Sequence, residues 1–452
     1  MSNASGLLAI LETAVGGTLS IRIRCWDGSQ AGDPAAHATV VFNNRRGLRR
    51  LLWAPNELGL VRAYVSGDVD IEGDIFAVLN MQDVIDRVAH HQVIGLSGRQ
   101  RMSAVLTAAR MGAVALPPKP PAEEIRRRRG RLHTKDRDAE SISLHYDVSN
   151  DFYRLILGES MVYSCAYWVQ EPDPHYGLDE AQRDKCELVC MKLGLQPGMR
   201  LLDVGCGWGT LAIHAATHHG VRVVGITLSH EQADLARLRV TKLGLSDQVE
   251  IRIQDYREVV DGPYDAISSV GMSEHVGSNN LLAYGQKLMD LLRPGGRLLN
   301  HAIASVRTLA SPGRPEPGFI DRYVFPDGEL VTLSRTLDVF EQVGFEVRDS
   351  EALREHYGLT LRAWVDNLRS SWDEAQQLVG KARARTWLLY FAACALAFEQ
   401  GNITIHQVLA VRQGARGASE FPRTRAEWLA GPQVNVLDSS AEHQSPRATH
   451  DA

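Results

Sequence analysis

An apolar stretch runs into an acid and three glycines at RLLDVGCGWG, residues 200–209, and continues as TLAIHAATHHG. The first part reads as a strand and the second as a helix. The glycines therefore fall at a strand-to-helix turn, where the missing Cβ lets the backbone come close to a ligand. Asp203 supplies an acceptor for a charged amine on that ligand. A nucleotide-type cofactor follows from the pattern, although such loops also serve NAD, flavin or no ligand at all.

Three neighbouring features narrow the choice. No phosphate-binding P-loop lysine follows the turn, a second strand comes at VRVVGITLS (221–229), and a third, VEIRIQDYRE (249–258), carries Asp255. Dinucleotide enzymes place an acid for the ribose hydroxyls at the end of the second strand. Here that strand ends Gly225-Ile226-Thr227-Leu228-Ser229, followed by Glu231-Gln232. Thr227 and Gln232 would have to make the polar contacts, which argues against NAD and towards a methyltransferase cofactor. Asp255 is placed to accept from an adenine amino group with Tyr256 beside the ring; the plainer alternative makes Asp255 a turn residue.

The elements that must hold these residues divide the chain. A length of 452 residues exceeds what one core normally serves, so two domains are expected, and 44% hydrophobic with 23% charged residues is a globular composition. Residues 19–26 and 38–42 alternate like short strands, and 46–90 mixes helical periodicity with Gly67-Asp68 and Gly73-Asp74 turns, giving a small α+β unit over 1–116. PPKPP (117–121) and the basic run IRRRRGRL (125–132) mark a linker over 117–139. From about residue 178, strand, glycine turn and helix alternate as in a doubly wound parallel sheet, so 140–430 reads as an α/β domain. Residues 431–452 are polar and patternless and are expected to be disordered.

A net charge of −5 gives no bulk attraction to nucleic acid or anionic lipid, though Arg126–Arg129 would suit either a solvated linker or a headgroup contact. The six cysteines (25, 165, 186, 190, 206, 394) form no CxxC pair and are too sparse for a disulfide scaffold. Cys186 and Cys190, four apart on a helical stretch, read as packing residues, and no metal is expected. A cytoplasmic setting fits, with neither a signal peptide nor 18 consecutive apolar residues.

The blocks HYDVSNDFYRLILGESMVYSCAYW (145–168), LLDVGCGWG (201–209), GITLSHEQ (225–232), QDYR (254–257), SSVGMSEHVG (268–277), RPGGRLLNHAI (293–303), FPDGEL (325–330), HYGLTLRAW (356–364) and FAACALAFEQGNITIHQV (391–408) occur in one order. In these the chain resembles the cyclopropane-fatty-acyl-phospholipid synthases, a group that includes actinobacterial fatty-acid methyltransferases. The resemblance covers most of 140–412. It implies a class I S-adenosylmethionine (SAM) methyltransferase sheet with a helical cap over an acyl channel, and a bicarbonate ion beside the reactive carbon. The implied bicarbonate shell is Cys165, Glu274, His301, Ile303 and Tyr357. The implied SAM contacts are Tyr163, Ser164, the Gly205/Gly207 turn, Thr227, Gln232, Asp255 and Tyr256. Residues 1–116 favour the phospholipid-acting branch, where such a domain engages the lipid or the partner of a homodimer at the inner membrane surface.

That chemistry needs those residue types. An alkene is a poor nucleophile, so accepting a sulfonium methyl leaves a carbocation that must stay away from water until it loses a proton. Bicarbonate suits the base, Glu274 and His301 support it, and Cys165 is a weak donor to the anion rather than a nucleophile. Tyr167, Trp168 and Tyr323 offer π faces to the cation. The bland readings are a core role for His301 and a helix cap for Glu274-His275; Trp53, Trp364 and Trp387 are expected in the core. Proton loss from the added methyl closes a cyclopropane, the leading outcome. Loss from a chain carbon gives a methylene branch. A small-molecule SAM methyltransferase would share the cofactor loops without needing Cys165, Glu274, His301 and Tyr357.

Overall fold

A computed structural model of the chain describes residues 2–15, 17–80, 102, 106–125, 133–135, 137, 148–306, 318–326 and 328–429. The arginine run 126–129 and the expected tail 431–452 lie outside the described residues.

The N-terminal part opens with α1 (Asn3–Val15) and builds a four-stranded sheet from β1 (Arg22–Arg24), β2 (Gln30–Gly32), β3 (Ala38–Phe42) and β4 (Val69–Gly73), in the order β2-β1-β3-β4. Helices α2 (Arg45–Trp53), α3 (Glu57–Val65) and α4 (Ile75–Leu79) pack on it. The Gly-Asp turns do two jobs. Gly67 and Gly73 take positive φ, while Asp68 is buried between Arg46 and Arg50 at 3.0 and 2.8 Å and Asp74 caps α4 by accepting from Phe76 N at 2.9 Å. Trp53 departs from expectation. It falls at the last position of α2, off the face that buries Gly47 and Leu48, and is 59% exposed with its indole N–H donated to Ala115 O at 2.8 Å.

The larger sheet comprises β5 (Arg200–Val204), β6 (Arg222–Thr227), β7 (Val249–Ile253), β8 (Tyr264–Val270), β9 (Leu292–Ser305), β10 (Phe345–Ala352) and β11 (Ile403–Arg412), ordered β10-β11-β9-β8-β5-β6-β7. The pairs β5/β6, β6/β7, β5/β8 and β8/β9 are parallel, and β11 runs antiparallel between β9 and β10. This is the doubly wound class I arrangement. The strand order reverses between β5 and β8, and ligands bind beyond the carboxyl ends of strands at such a switch point. Helices α5 (Asn150–Leu157), α6 (Leu178–Leu193), α7 (Thr210–His219), α8 (His230–Lys242), α9 (Ser273–Val276), α10 (Leu281–Leu291), α11 (Phe319–Tyr323) and α12 (Leu333–Gln342) connect and cover the strands.

Three consecutive helices, α13 (Arg354–Ser370), α14 (Trp372–Val379) and α15 (Lys381–Glu399), form a cap with α5. Their shared core is aromatic, with Phe152, Tyr153, Trp364, Trp387 and Phe391 meeting mainly at tilted or edge-on angles. Trp364 and Trp387 are buried there, as expected. The same core takes in Val61, Tyr64 and Phe76 from the N-terminal part, and buried Arg385 of α15 pairs with Asp70 of β4. The described part of the linker is also pinned, because Glu124 accepts from Arg62 at 2.7 Å and from the Tyr323 hydroxyl at 3.1 Å. A last short helix, α16 (Arg425–Leu429), sets Trp428 against α6. No described helix is long and apolar enough to cross a membrane.

Candidate active site

At the carboxyl end of β5 the chain turns sharply through Gly205, whose φ is +79° and where an added Cβ would sit 2.6 Å from Met272 Cγ. A side chain there would clash. Gly207, at φ +54°, borders open space, and the turn is tied to β6 by two hydrogen bonds, from Gly205 N and Cys206 N to Ile226 O, both 2.9 Å. The cleft so formed, about 120 Å³, is lined by Tyr163, Ser164, Asp203, Gly205, Gly207, Thr227, Gln232 and Tyr256, so eight of the nine sequence-derived cofactor residues come together. Thr227 donates to Gln232 Oε1 at 2.8 Å, which fixes the polar pair that stands where a dinucleotide enzyme has its acid.

Asp203 is 2% exposed. Its Oδ1 accepts from Ser268 Oγ at 2.8 Å, and its Oδ2 has no hydrogen-bond partner. Burial pushes its carboxyl up to about 6 against the help of Ser268 and Lys185. A buried acceptor with an open valence facing a cleft fits a ligand amine.

The ninth residue, Asp255, is not among the lining residues. Its carboxylate is taken by the Arg257 backbone and guanidinium at 2.9, 2.8 and 2.6 Å, which hold it below the usual range against the effect of burial. It caps the turn that presents Tyr256 to the cleft, which is the plainer reading of its role.

Tyr163, Ser164, Gly271 and His275 also line a second, largely apolar cavity of about 380 Å³ that holds Glu274, His301, Ile303 and Tyr357. Glu274 does not cap its helix. Its Oε1 reaches across to accept from Ile303 N on β9 at 2.7 Å, and Oε2 is buried without a hydrogen-bond partner. Burial pushes this carboxyl up to about 7, opposed by the Ile303 amide. His301, 1% exposed, meets Gln407 at 3.1 Å through Nδ1, while Nε2 has no partner. Lys192 donates to Gln407 Oε1 at 2.7 Å, so the Gln407 amide N–H must point at His301. Nδ1 then accepts and the ring proton sits on Nε2. Burial, with Lys185 and Lys192 nearby, holds the imidazole pKa well below its ordinary value, so His301 is a neutral donor.

Four expected positions differ. Cys165 lines neither cavity, because its thiol turns to the carbonyls of Ala166 and Leu353 at 3.2 and 3.6 Å, and burial raises its pKa far above the ordinary value. The π faces fall elsewhere too. Tyr167 stacks on His356 at 4.9 Å, the Trp168 indole donates to Thr360 at 3.1 Å, and Tyr323 is engaged by Glu124. The cavity's aromatic rings are instead Phe319, Phe325, Tyr357, Tyr390 and Phe398, beside Tyr163.

Sequence reasoning missed Lys185 and the Lys192–Gln407 pair. Lys185 is 2% exposed, lines the cofactor cleft and donates to Ser164 Oγ at 3.3 Å. Its only sequence signal is a lysine on the apolar face of α6, beside Cys186 and Val189. Away from the cleft, Cys190 packs in the core but also stands with His214 and His219, their possible ligand atoms within 4.8 Å of one another, and both imidazoles meet Glu187 at 2.9 and 3.1 Å. The reading of Cys190 as packing alone did not anticipate that grouping.

A family profile described as mycolic acid cyclopropane synthetase matches residues 133–408, more than half of the chain. The chain belongs to this family. Among relatives of this cyclopropane synthetase family, a probable fatty acid methyltransferase of Mycobacterium tuberculosis is 43% identical over 417 residues, spanning 89% of this chain and 93% of its own. The cyclopropane-fatty-acyl-phospholipid synthase of Escherichia coli is 38% identical over 265 residues, 59% of this chain and 66% of its own. Among solved structures, mycolic acid cyclopropane synthase CmaA1 complexed with SAH and CTAB is similar at TM-score 0.56 and 32% identity, covering 60% of this chain and 97% of that one. Membership makes the chain a SAM-dependent methyltransferase of a lipid-methylating and cyclopropane-synthesising family.

Proposed function

We propose that the chain methylates the cis double bond of an unsaturated fatty acyl chain carried on a phospholipid and closes a cyclopropane ring, with bicarbonate as the base. One observation carries the reading. Glu274 Oε2 and His301 Nε2 are both buried without hydrogen-bond partners and line the same apolar cavity, directly beside the 120 Å³ cleft that we assign to SAM. Unsatisfied buried polar atoms in an otherwise apolar wall call for a polar guest. An acceptor or protonated carboxyl on one side and a neutral N–H donor on the other fit a small oxyanion.

SAM, when bound, supplies the electrophilic methyl. Bicarbonate, when bound, supplies the acceptor for the proton released from the methylated chain. The rest falls to this chain's residues. Asp203 accepts from the cofactor amine, Lys185 faces its carboxylate, and Tyr256 flanks the adenine, with Asp255 setting the turn that presents it. Glu274, near 7, carries a proton part of the time and can hydrogen-bond an anion without full charge repulsion. His301 donates from Nε2, and Tyr357 and Ile303 complete the wall. Apolar and aromatic side chains keep water from the cationic carbon. Contact with the bilayer surface and a homodimer belong to the same proposal.

The deciding experiment feeds purified protein labelled SAM and vesicles of monounsaturated phospholipid, then analyses the acyl chains by mass spectrometry with chromatography. A labelled ring is the expected product. A labelled exocyclic alkene would give the methylene-forming alternative, and no label in any chain with SAM still bound would sink the acyl reading. Depleting bicarbonate from the buffer should slow turnover, and unchanged turnover would remove it as base.

Two variants test individual roles. Lys185→Met is expected to raise the SAM dissociation constant by about 10–100-fold, the scale of a lost charge-assisted hydrogen bond; calorimetry would read it. Gln407→Glu reverses the polarity at His301 Nδ1. Its carboxylate makes Nδ1 a donor and raises the imidazole pKa, so turnover should fall about tenfold or more, with the acid limb of the pH profile moved upward and SAM affinity unchanged. A uniform loss with no change in the pH profile would leave Gln407 a packing residue only.

A further inference from the structure

Beyond the reaction cavity lies a second apolar chamber of about 310 Å³, between the N-terminal sheet and α15. Its walls include Val40 and Phe42 of β3, Val61 and Tyr64 of α3, and Leu389 and Leu396 of α15. Four residues, Glu57, Phe319, Ala393 and Ala397, line both this chamber and the reaction cavity. The two spaces therefore adjoin the same four residues, which stand at the boundary, or neck, between them. Ala393 and Ala397 lie one turn apart on the same face of α15, so two methyl groups form that side of the neck where larger side chains would narrow it. The SAM cleft, the reaction cavity and this chamber thus stand in series, each sharing lining residues with the next.

A concave apolar space this large, walled by aliphatic and aromatic carbon, offers water few hydrogen-bond partners. Its wall suits a hydrocarbon. Among its described lining residues, Glu57 is the one charged side chain, and Tyr64 and Gln400 are the other polar side chains. Glu57 sits at the neck, where burial pushes its carboxyl up and the Phe319 amide donates to it. A lipid headgroup or ester would find little to bind there, whereas the methyl end of a chain needs nothing more.

We propose that this chamber takes the distal, methyl-end part of the acyl chain whose reacting carbons sit beside Glu274 and His301, so that the N-terminal unit is part of the substrate site and sets the chain length accepted. The proposal rests on the acyl-chain reading given above. A single chain would reach both spaces by passing Glu57, Phe319, Ala393 and Ala397.

The test uses the full-length protein and vesicles of phospholipids with one monounsaturated and one saturated chain. The double bond keeps its distance from the carboxyl end while the segment beyond it is lengthened; separately, the saturated chain is lengthened. Leu60→Trp fills the chamber from its outer, partly exposed wall, away from the neck and the reaction cavity. It should cut turnover of long distal segments at least tenfold while changing that of short ones less than twofold, with SAM affinity retained. Ala397→Leu, which narrows the neck, should move the length limit in the same direction. Equal losses at all distal lengths would overturn the proposal, as would a length limit that follows the saturated chain, which would make the second chain the occupant. If wild-type protein labels no acyl chain at all, the acyl reading itself fails, a result distinct from labelling without length dependence.

Discussion

Replacing Glu274 by Gln should leave SAM affinity within about twofold, lower turnover by about 10²–10⁴-fold, and make the protein more stable at pH 8. The first two outcomes follow from position. Glu274 lines the reaction cavity and is absent from the SAM cleft, and loss of an acid–base group or its support costs that range of rate. The third follows from linkage. The folded-state carboxyl titrates at about 7 against an ordinary value of 4.5, because it is buried with one oxygen unpartnered. Between those values the folded protein holds a proton that the unfolded chain has released, so stability falls as pH rises through that window and stays lower above it. A neutral amide removes the penalty. The expected gain is on the order of 1–3 kcal/mol at pH 8, shrinking towards pH 5, and thermal unfolding at both pH values would measure it. A variant that lost SAM affinity and turnover equally would place Glu274 in the cofactor site instead.

SAM binding by the wild-type protein should weaken as pH falls below about 6, and Asp203→Asn should abolish that dependence. Burial holds the free carboxyl at about 6, so at lower pH it is protonated and must lose its proton to receive an ammonium group. The dissociation constant should then rise by up to tenfold per pH unit. The cofactor amine titrates at about 8, outside a series run from pH 5 to 7. At pH 7 the Asn variant should bind SAM about 10–100-fold more weakly, the scale of a hydrogen bond to a charged group. A dissociation constant that stays flat from pH 5 to 7 in the wild type would mean that Asp203 does not hold the amine.

That Asp203, Gly205, Gly207, Thr227 and Gln232 would share one cleft was legible because the signal is local. Asp203, Gly205 and Gly207 are contiguous with β5, and Thr227 and Gln232 flank the end of β6, so strand periodicity and a glycine turn suffice to place them. Asp255 shows the limit of that reasoning. Its position after a strand is right, but the side chain of Arg257, two residues on, claims its carboxylate, and no periodicity signals that closure. Trp53 fails for a similar reason, since an aromatic at a helix end is buried only if the helix face it shares turns inward.

By itself the sequence determined the doubly wound class, the glycine turn, the SAM-type residue order and the motif positions of Glu274, His301, Ile303 and Tyr357. The first three depend on period, spacing and residue type along short stretches of chain, whereas the four motif positions came only from the family resemblance those motifs carry. Only the tertiary structure decided that Lys185 enters the cleft from α6, that Lys192 and Gln407 fix the proton on His301, that the Cys165 thiol turns away, and that an apolar chamber walled by the N-terminal unit adjoins the reaction cavity. Each of these depends on side chains distant in sequence meeting in a low-dielectric interior, where hydrogen-bond partners, protonation and empty volume are set by the neighbours folding brings together.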